Sequence, residues 1–131
     1  GLFGLPFEKV LPKAKIGNKN FVSVFAGMSP GIDTDKNFFS VSVADVIYSN
    51  GIYGSFSGMS AYQAYNIDTK IDDGIPIRGV VIAAYSQAPL GVKYASSAVA
   101  DSATTCYNTT NNAYSIGNGD ARNCALAFRF K

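Results

Sequence analysis

The chain has 131 residues, 47% of them hydrophobic and 15% charged, and it carries a net charge of +2. This composition excludes an intrinsically disordered chain, the length predicts one globular domain over residues 1–131, and no run of about 18 apolar residues predicts a transmembrane helix. The eleven basic and nine acidic residues are scattered, so no basic stripe indicates a nucleic-acid-binding protein, and nucleic acid is not an expected partner.

Turn-forming residues divide the first part of the chain into short segments. Two prolines and a glycine interrupt the first twenty residues, which predicts loop with one short helical turn over residues 7–10. Residues 21–25 are rich in β-branched and aromatic side chains and predict a strand.

A period of two marks the second predicted strand. Phe39, Val41 and Val43 alternate with smaller residues, which predicts a half-buried strand with these three side chains on its apolar face. Residues 46–48 extend it. Residues 51–58 combine glycines with aromatic residues, and we interpret them as an irregular connection.

One amphipathic helix is predicted over residues 60–73. Ser60 and Gln63 have the spacing of a capping box, in which each side chain satisfies an unpaired amide of the first turn. Gly74 stands where a left-handed C-terminal residue is favoured, and Pro76 prevents the helix from continuing. The apolar face of the helix is predicted to be Ala64, Ile67 and Ile71.

Three further strands are predicted after the helix. Residues 79–85 form a continuous apolar run, which is typical of one buried strand. Residues 92–94 are a weaker candidate inside an ambiguous segment. In residues 126–130 large apolar side chains alternate with small or charged ones, which predicts a last strand.

Two cysteines, Cys106 and Cys124, enclose a polar segment that contains five asparagines. We predict a disulfide bond, because closing such a loop stabilises the fold by roughly 3 kcal/mol in the chain-entropy model. Two unrelated buried thiols are the alternative. Metal ligation needs more Cys or His residues than the chain offers. A disulfide indicates the periplasm, the cell surface or the medium.

The first residues of the sequence show no targeting signal. Gly1–Pro6 lack the charged region and the cleavage site of a signal peptide. Either the protein is cytosolic, or the sequence is part of a longer chain whose targeting segment lies outside it. The abrupt start favours the second interpretation.

The chain offers few of the groups that catalysis uses. It has no histidine, which excludes the Ser-His-Asp and Cys-His arrangements. Residues 54–58 resemble a nucleophile elbow, but the central residue is Phe56 where serine is required. Asn108 begins an Asn-x-Thr pattern that arises easily by chance in such a polar loop. We therefore predict that the protein is not an enzyme and has no cofactor.

Asp33, Asp35 and Asn37 have the spacing that begins a calcium loop. Phe38 and Ala44 stand where an EF-hand needs glycine and glutamate, so an EF-hand is excluded. The two interpretations left open are a looser calcium site and a plain acidic turn without a ligand.

A second acidic group consists of Asp68, Asp72 and Asp73, at the end of the predicted helix. The helix dipole disfavours negative charge there. We expect compensation by Lys70, by Arg78, by backbone amides of the Gly74 turn or by a cation. A salt bridge with turn hydrogen bonds is the preferred interpretation, which leaves the three aspartates as weak metal candidates only.

Residues 64–81, AYNIDTKIDDGIPIRGVV, resemble a segment found in many proteins of the type IV pilin and pseudopilin family. In that segment an Ile-Asp pair, a lysine and an Asp-Asp-Gly turn precede a strand of the sheet. A cysteine pair that closes a C-terminal loop is also similar to that family. The matching motif positions are Asp68, Lys70, Asp72, Asp73, Gly74, Pro76 and Gly79.

The resemblance implies an α+β pilin-like head with an antiparallel sheet, a short helix and a C-terminal disulfide loop exposed at the surface. It implies a non-catalytic subunit of a pilus or a secretion pseudopilus, whose partners are other subunits of the same filament. The family's apolar N-terminal helix is not in this sequence, and contact with the membrane is expected only through it. The implied location is an extracellular filament or the periplasm, after anchoring in the inner membrane. A secreted carbohydrate- or ligand-binding module is the alternative.

Overall fold

A computed structural model describes residues 5–17, 19–26, 36–48, 53–87 and 91–130. Within them the chain is rich in strands and has one short α-helix, so the architecture is α+β. A 3₁₀ turn covers Phe7–Lys9, as predicted, and a second covers Ile116–Asn118. The ten strands and the helix, in chain order, are β1 Asn20–Ala26, β2 Asn37–Ile47, β3 Tyr53–Phe56, α1 Ala61–Ile71, β4 Val81–Ile82, β5 Ala84–Gln87, β6 Gly91–Tyr94, β7 Ser97–Ala98, β8 Tyr107–Asn108, β9 Ala113–Tyr114 and β10 Leu126–Arg129.

The long strand β2 organises the main sheet, which has the order β1-β2-β10-β4 and is antiparallel throughout. Strand β1 pairs with the first part of β2 along one edge. Strands β10 and β3 pair with successive parts of its other edge, β10 up to Val41 and β3 from Val43 onward. The strands predicted at residues 21–25, 39–48 and 126–130 are therefore confirmed.

The buried face of β2 is opposite to the one predicted. Ser40 and Ser42 are 0% exposed, whereas Phe39 is 42% exposed. A period of two separates the faces of a strand, but the elements that pack on the sheet decide which face is covered. Here the hairpin of β5 and β6 covers the serine face, where Phe38 packs in one cluster with Ile82. The apolar face with Phe39 is only partly covered.

Helix α1 packs on the opposite face of the main sheet from the hairpin, beside β4 and β10. Ala61 and Ala64 share a hydrophobic cluster with Val81 of β4 and Leu126 of β10. The predicted capping box is present, because Ser60 Oγ accepts from Gln63 N at 3.1 Å and Gln63 Oε1 accepts from Ser60 N at 3.0 Å.

The end of the helix differs from the prediction. Helix α1 ends at Ile71, two residues before the predicted Asp73. Ile71 is exposed, although it was expected on the apolar face, and the third buried position of the helix belongs to Asp68. In the described ranges, no helix has the length and apolar character needed to cross a bilayer.

The apolar run at residues 79–85 is not one strand. Strand β4 ends at Ile82, and β5 begins at Ala84 in a separate sheet with β6. Ala83 lies between them, with its amide bonded to Pro76 O at 2.7 Å and its carbonyl accepting from Ala95 N at 2.8 Å. Residues 81–84 are buried because the chain crosses here from one layer to another, whereas Val80 is exposed. The candidate strand at residues 92–94 is confirmed as β6.

The segment predicted to be an irregular connection contains β3. Tyr53–Phe56 pair with β2 despite Gly54, and the register shifts between Ala44 and Val46 as at a β-bulge. The long partner strand supplies hydrogen bonds that local propensity does not predict. Residues 49–52, which precede β3, lie outside the described residues, as do Asp33 and Asp35 of the loose calcium candidate.

The predicted Cys106–Cys124 disulfide bond is present, and both cysteines are buried. It connects β8, which lies in a small sheet with β7 and β9, to the segment that leads into β10. The enclosed loop is less exposed than expected, because Tyr107 and Tyr114 are buried in the core. Asn111 and Asn112 are exposed at its tip.

We expect Cys106→Ser to lower the melting temperature under oxidising conditions, with a loss of roughly 3 kcal/mol in the free energy of unfolding. The reason is that the reduced chain regains the freedom of the loop between Cys106 and Cys124 when it unfolds. Thermal and urea unfolding, followed by circular dichroism, would measure this. Wild-type protein under a reducing agent should behave like the variant, and an unchanged melting temperature would contradict a stabilising bond.

Candidate functional site

The three aspartates at the end of α1 lie together. One carboxylate oxygen of each of Asp68, Asp72 and Asp73 lies within 4.8 Å of the others. They lie at different depths, because Asp68 is buried, Asp72 is half-buried and Asp73 is exposed. We call these three residues the aspartate cluster.

Asp68 connects the helix to two other parts of the chain. Its Oδ1 accepts from Gly74 N at 3.1 Å, and its Oδ2 accepts from the hydroxyl of Tyr114 at 2.8 Å. Asp68 has no solvent exposure. A single carboxylate therefore joins α1, the turn that follows and the strand β9 inside the disulfide loop.

Asp72 connects the end of the helix to the first residues of the sheet. Its Oδ2 accepts from the amides of Val80 and Val81, the second at 3.1 Å. Asp72 is the C-cap residue of α1. The carboxylate thus holds the start of β4 against the helix end and satisfies two amides there.

Asp73 closes the exposed side of the turn. Its Oδ1 accepts from Ile75 N at 2.8 Å, and its Oδ2 accepts from Arg78 Nε at 2.9 Å. The hydrogen bond from Arg78 holds the pKa of Asp73 below its ordinary value. The compensation expected from Arg78 and from the backbone amides is present, whereas in the described part of the chain Lys70 forms no ion pair with the cluster.

Burial dominates the electrostatics of Asp68. It raises the pKa of that carboxyl to about 6, although the hydrogen bonds from Tyr114 and Gly74 act in the opposite direction. The charges of Asp73 and Asp72 raise it further. Burial also raises the pKa of Tyr114, and the adjacent Asp68 adds to that effect. Tyr114 therefore stays a neutral hydrogen-bond donor.

Two glycines of the motif have backbone angles that favour glycine. Gly74 has φ +73° and Gly79 has φ +87°. A side chain at Gly79 would collide with the Asp72 carboxylate, so this glycine also makes room for the contact. Pro76 is fully buried and its carbonyl accepts from Ala83 N. The seven motif positions thus belong to one helix–turn–strand unit, with Lys70 exposed beside it.

The hydrogen bonds show what the cluster does chemically. Five of its six carboxylate oxygens accept a bond from a backbone amide, an arginine or a tyrosine. These bonds account for all three aspartates without a reaction or a ligand. Tyr114 is a partner that no pattern near the acidic residues predicts, and its only signal is an aromatic residue inside a polar loop.

A second surface lies on the partly covered face of the main sheet. Val24 of β1 lies opposite Phe39 of β2, and the ring of Phe130 stacks on that of Phe39 with centroids 4.4 Å apart. The exposed fractions of these three side chains are 59%, 42% and 46%. We call Val24, Phe39 and Phe130 the aromatic strip. The sequence predicts these residues as apolar strand positions but places Phe39 on the covered face.

An open cleft of about 640 Å³ lies at the opposite end of the sheet. Phe7, Phe21 and Phe56 contribute to its lining, and Lys13 and Lys19 are among the charged residues around it. Lys19 has φ +60°, a value uncommon for a residue with a side chain. The cleft combines aromatic surface with charge.

No protein-family model, no curated protein and no solved structure matches this chain. Three features of the molecule bear on its function: the aspartate cluster with its motif, the disulfide-closed loop and the aromatic strip.

We expect Gly79→Ala to lower the free energy of unfolding by about 2 kcal/mol or more, because alanine is strained at this positive φ and meets the Asp72 carboxylate. Urea unfolding measures the loss. Gly117→Ala is the matched control, since a Cβ there meets no atom within 4 Å. Equal stability of the two variants would show that the Asp72 contact does not constrain the fold.

We expect stability to depend on the protonation of Asp68. Its pKa rises on folding from 3.8 to about 6, so the folded state binds the proton more tightly. The contribution of this group to stability is therefore present at low pH and is lost as the pH rises from about 4 to about 6.

Urea unfolding of the wild type and of Asp68→Asn across this range is the measurement. The variant keeps the shape and an acceptor but has no carboxyl to titrate. Subtracting its stability from that of the wild type removes the opposite contribution of Asp73, which is present in both proteins. A difference that does not change between pH 4 and 7 would contradict the role of Asp68.

Proposed function

We propose that this chain is the globular head of a type IV pilin or pseudopilin, a structural and non-catalytic subunit of an extracellular filament. The observation that carries the proposal is the aromatic strip on the partly covered face of the main sheet. Neighbouring exposed apolar side chains, unlike single ones, often mark the site of a protein contact. The pilin architecture supplies an apolar N-terminal helix for this position.

The two faces of the sheet support this interpretation. The serine face is covered by the β5–β6 hairpin, and one end of the other face is covered by α1. The strip lies on the remaining part, where Val24, Phe39 and Phe130 are neighbours across strands β1, β2 and the end of β10. The apolar side of a helix would bury surface of these three side chains that the described elements leave exposed.

The aspartate cluster supports the proposal in a second way. The motif residues that resemble the pilin family all lie in the last turn of α1 or in the segment that connects α1 to β4. The absence of a side chain at Gly79 leaves room for the Asp72 carboxylate. A motif whose residues stabilise the fold is consistent with a structural subunit that assembles into a filament. The proposed partners are other subunits of the same filament, and the proposed location is the filament or the periplasm after anchoring in the inner membrane.

The proposal is tested first by locating the protein in the organism that encodes it. An antibody against the 131-residue chain should label sheared surface filaments, and the amount there distinguishes a major from a minor subunit. Label confined to membrane and periplasm would indicate a pseudopilus component. Soluble protein in the medium, with no membrane-anchored precursor, would contradict the proposal.

We expect Phe39→Asp to abolish incorporation into filaments, because a charge in the aromatic strip is incompatible with an apolar covering element. The isolated head should still fold, because Phe39 is 42% exposed, but its melting temperature should fall because the stack on Phe130 is lost. Val99→Asp is the matched control: Val99 is an exposed apolar residue outside the strip, and filaments should still form. Normal incorporation of Phe39→Asp would show that the strip is not an assembly surface.

A secreted ligand-binding module is the second candidate, and the cleft beside Phe7 and Phe56 is the observation that favours it. Such a module needs exposed aromatic surface with polar groups at its edge. A glycan array, followed by titration calorimetry with Phe56→Ala, would test it. Binding that depends on Phe56, together with absence of the protein from filaments, would favour this candidate over the pilin proposal.

A further inference from the structure

Five hydroxyl groups lie on the covered face of the main sheet, under the β5–β6 hairpin. We call Ser23, Ser40, Ser42, Tyr53 and Ser55 the hydroxyl cluster. The strand register places them on one face: Ser23 lies opposite Ser40, Ser42 is two residues further along β2, and Ser55 lies opposite Ala44 on the same side. The four serines are buried, and so is the hydroxyl of Tyr53.

Some of these hydroxyls have partners in the protein. Ser40 Oγ and Ser42 Oγ are 3.0 Å apart and share a hydrogen bond. Ser55 Oγ donates to the carbonyl of Ser86 in the hairpin at 3.0 Å. In the other direction, Ser86 Oγ of the hairpin donates to the carbonyl of Tyr53 at 2.6 Å.

Two hydroxyls of the cluster have none. Ser23 Oγ and the Tyr53 hydroxyl are buried, and neither has a hydrogen-bond partner among the described residues. Burial raises the pKa of Tyr53, while the hydroxyls of Ser42, Ser23 and Ser55 oppose that effect. The three serine hydroxyls therefore lie near enough to the phenol to lower its pKa, but none of them lies at the distance and angle of a full hydrogen bond to it. Buried polar groups without partners are rare, and each needs a physical explanation.

We propose that the hydroxyl cluster is a binding site for ordered water, in which one molecule bridges Ser23 Oγ and the Tyr53 hydroxyl. Water both donates and accepts, and it is held where several polar groups surround a small buried space. The cluster offers only neutral hydroxyls, so nothing in it matches the charge of an ion. The proposal is independent of the filament function.

The position of this water gives it a structural role. Strands β1 and β3 pair with opposite edges of β2, since both lie opposite Val43. Ser23 and Tyr53 therefore belong to strands that do not touch through their backbones. A bridging water connects them across the inner surface of β2, next to the bonds between β3 and the hairpin.

A crystal structure of the 131-residue chain, at a resolution where ordered water is visible, is the decisive measurement. We expect a solvent peak about 2.8 Å from both Ser23 Oγ and the Tyr53 hydroxyl. A direct hydrogen bond from either hydroxyl to a serine of the cluster, with no peak between them, would overturn the proposal.

Unfolding of Ser23→Ala, Tyr53→Phe and the double variant provides a second test in solution. One shared water predicts that the fall in urea midpoint of the double variant is smaller than the sum of the two single falls. The matched control combines Ser23→Ala with Tyr62→Phe, an exposed tyrosine on α1, and should be additive. Additive falls for the Ser23 and Tyr53 pair would overturn the shared bridge.

Discussion

Asp68 accepts one hydrogen bond from the backbone of the Gly74 turn and another from Tyr114, so the helix, the turn and the disulfide-closed region meet at one buried carboxylate. Burying a charge is costly unless it is hydrogen-bonded, and the raised pKa of Asp68 shows that part of the cost is still present. Asp72 extends the same arrangement to β4. The packing of α1 on the sheet therefore depends on carboxylates that accept from groups distant in the chain.

Local chemistry predicts much of this fold. The capping box of Ser60 and Gln63 fixes the start of the helix, and β-branched and aromatic runs identify β1 and β10. The prediction fails where a choice depends on neighbours in space. Residues 81–84 of the apolar run are all buried, so their pattern gives no sign of the break at Ala83, whereas Val80 is exposed. Strand β3 exists because β2 is long enough to pair with it.

The candidate site was predictable to a similar degree. Three aspartates at a helix end require compensation, and the sequence correctly points to Arg78 and to the amides of the Gly74 turn. Tyr114 lies 46 residues from Asp68, and no local pattern connects two positions so far apart. The aromatic strip could not be located either, because alternation along β2 does not specify which face is left open. The pilin function is a proposal that these contacts support.

Residues that are neighbours along β2 lie on different faces of the sheet and are constrained by different contacts. Side chains at Ser40 and Ser42 are limited in volume by the hairpin packed on them, so selection for folding acts there. Phe39 points to the part of the other side that is only partly covered, so selection there acts on the exposed surface. Val41 lies on the same side but packs against the hydrophobic cluster under α1. Residues that alternate along a single strand can therefore evolve separately. A lineage could alter the exposed surface of the sheet through Phe39 while Ser40 and Ser42 keep the domain folded.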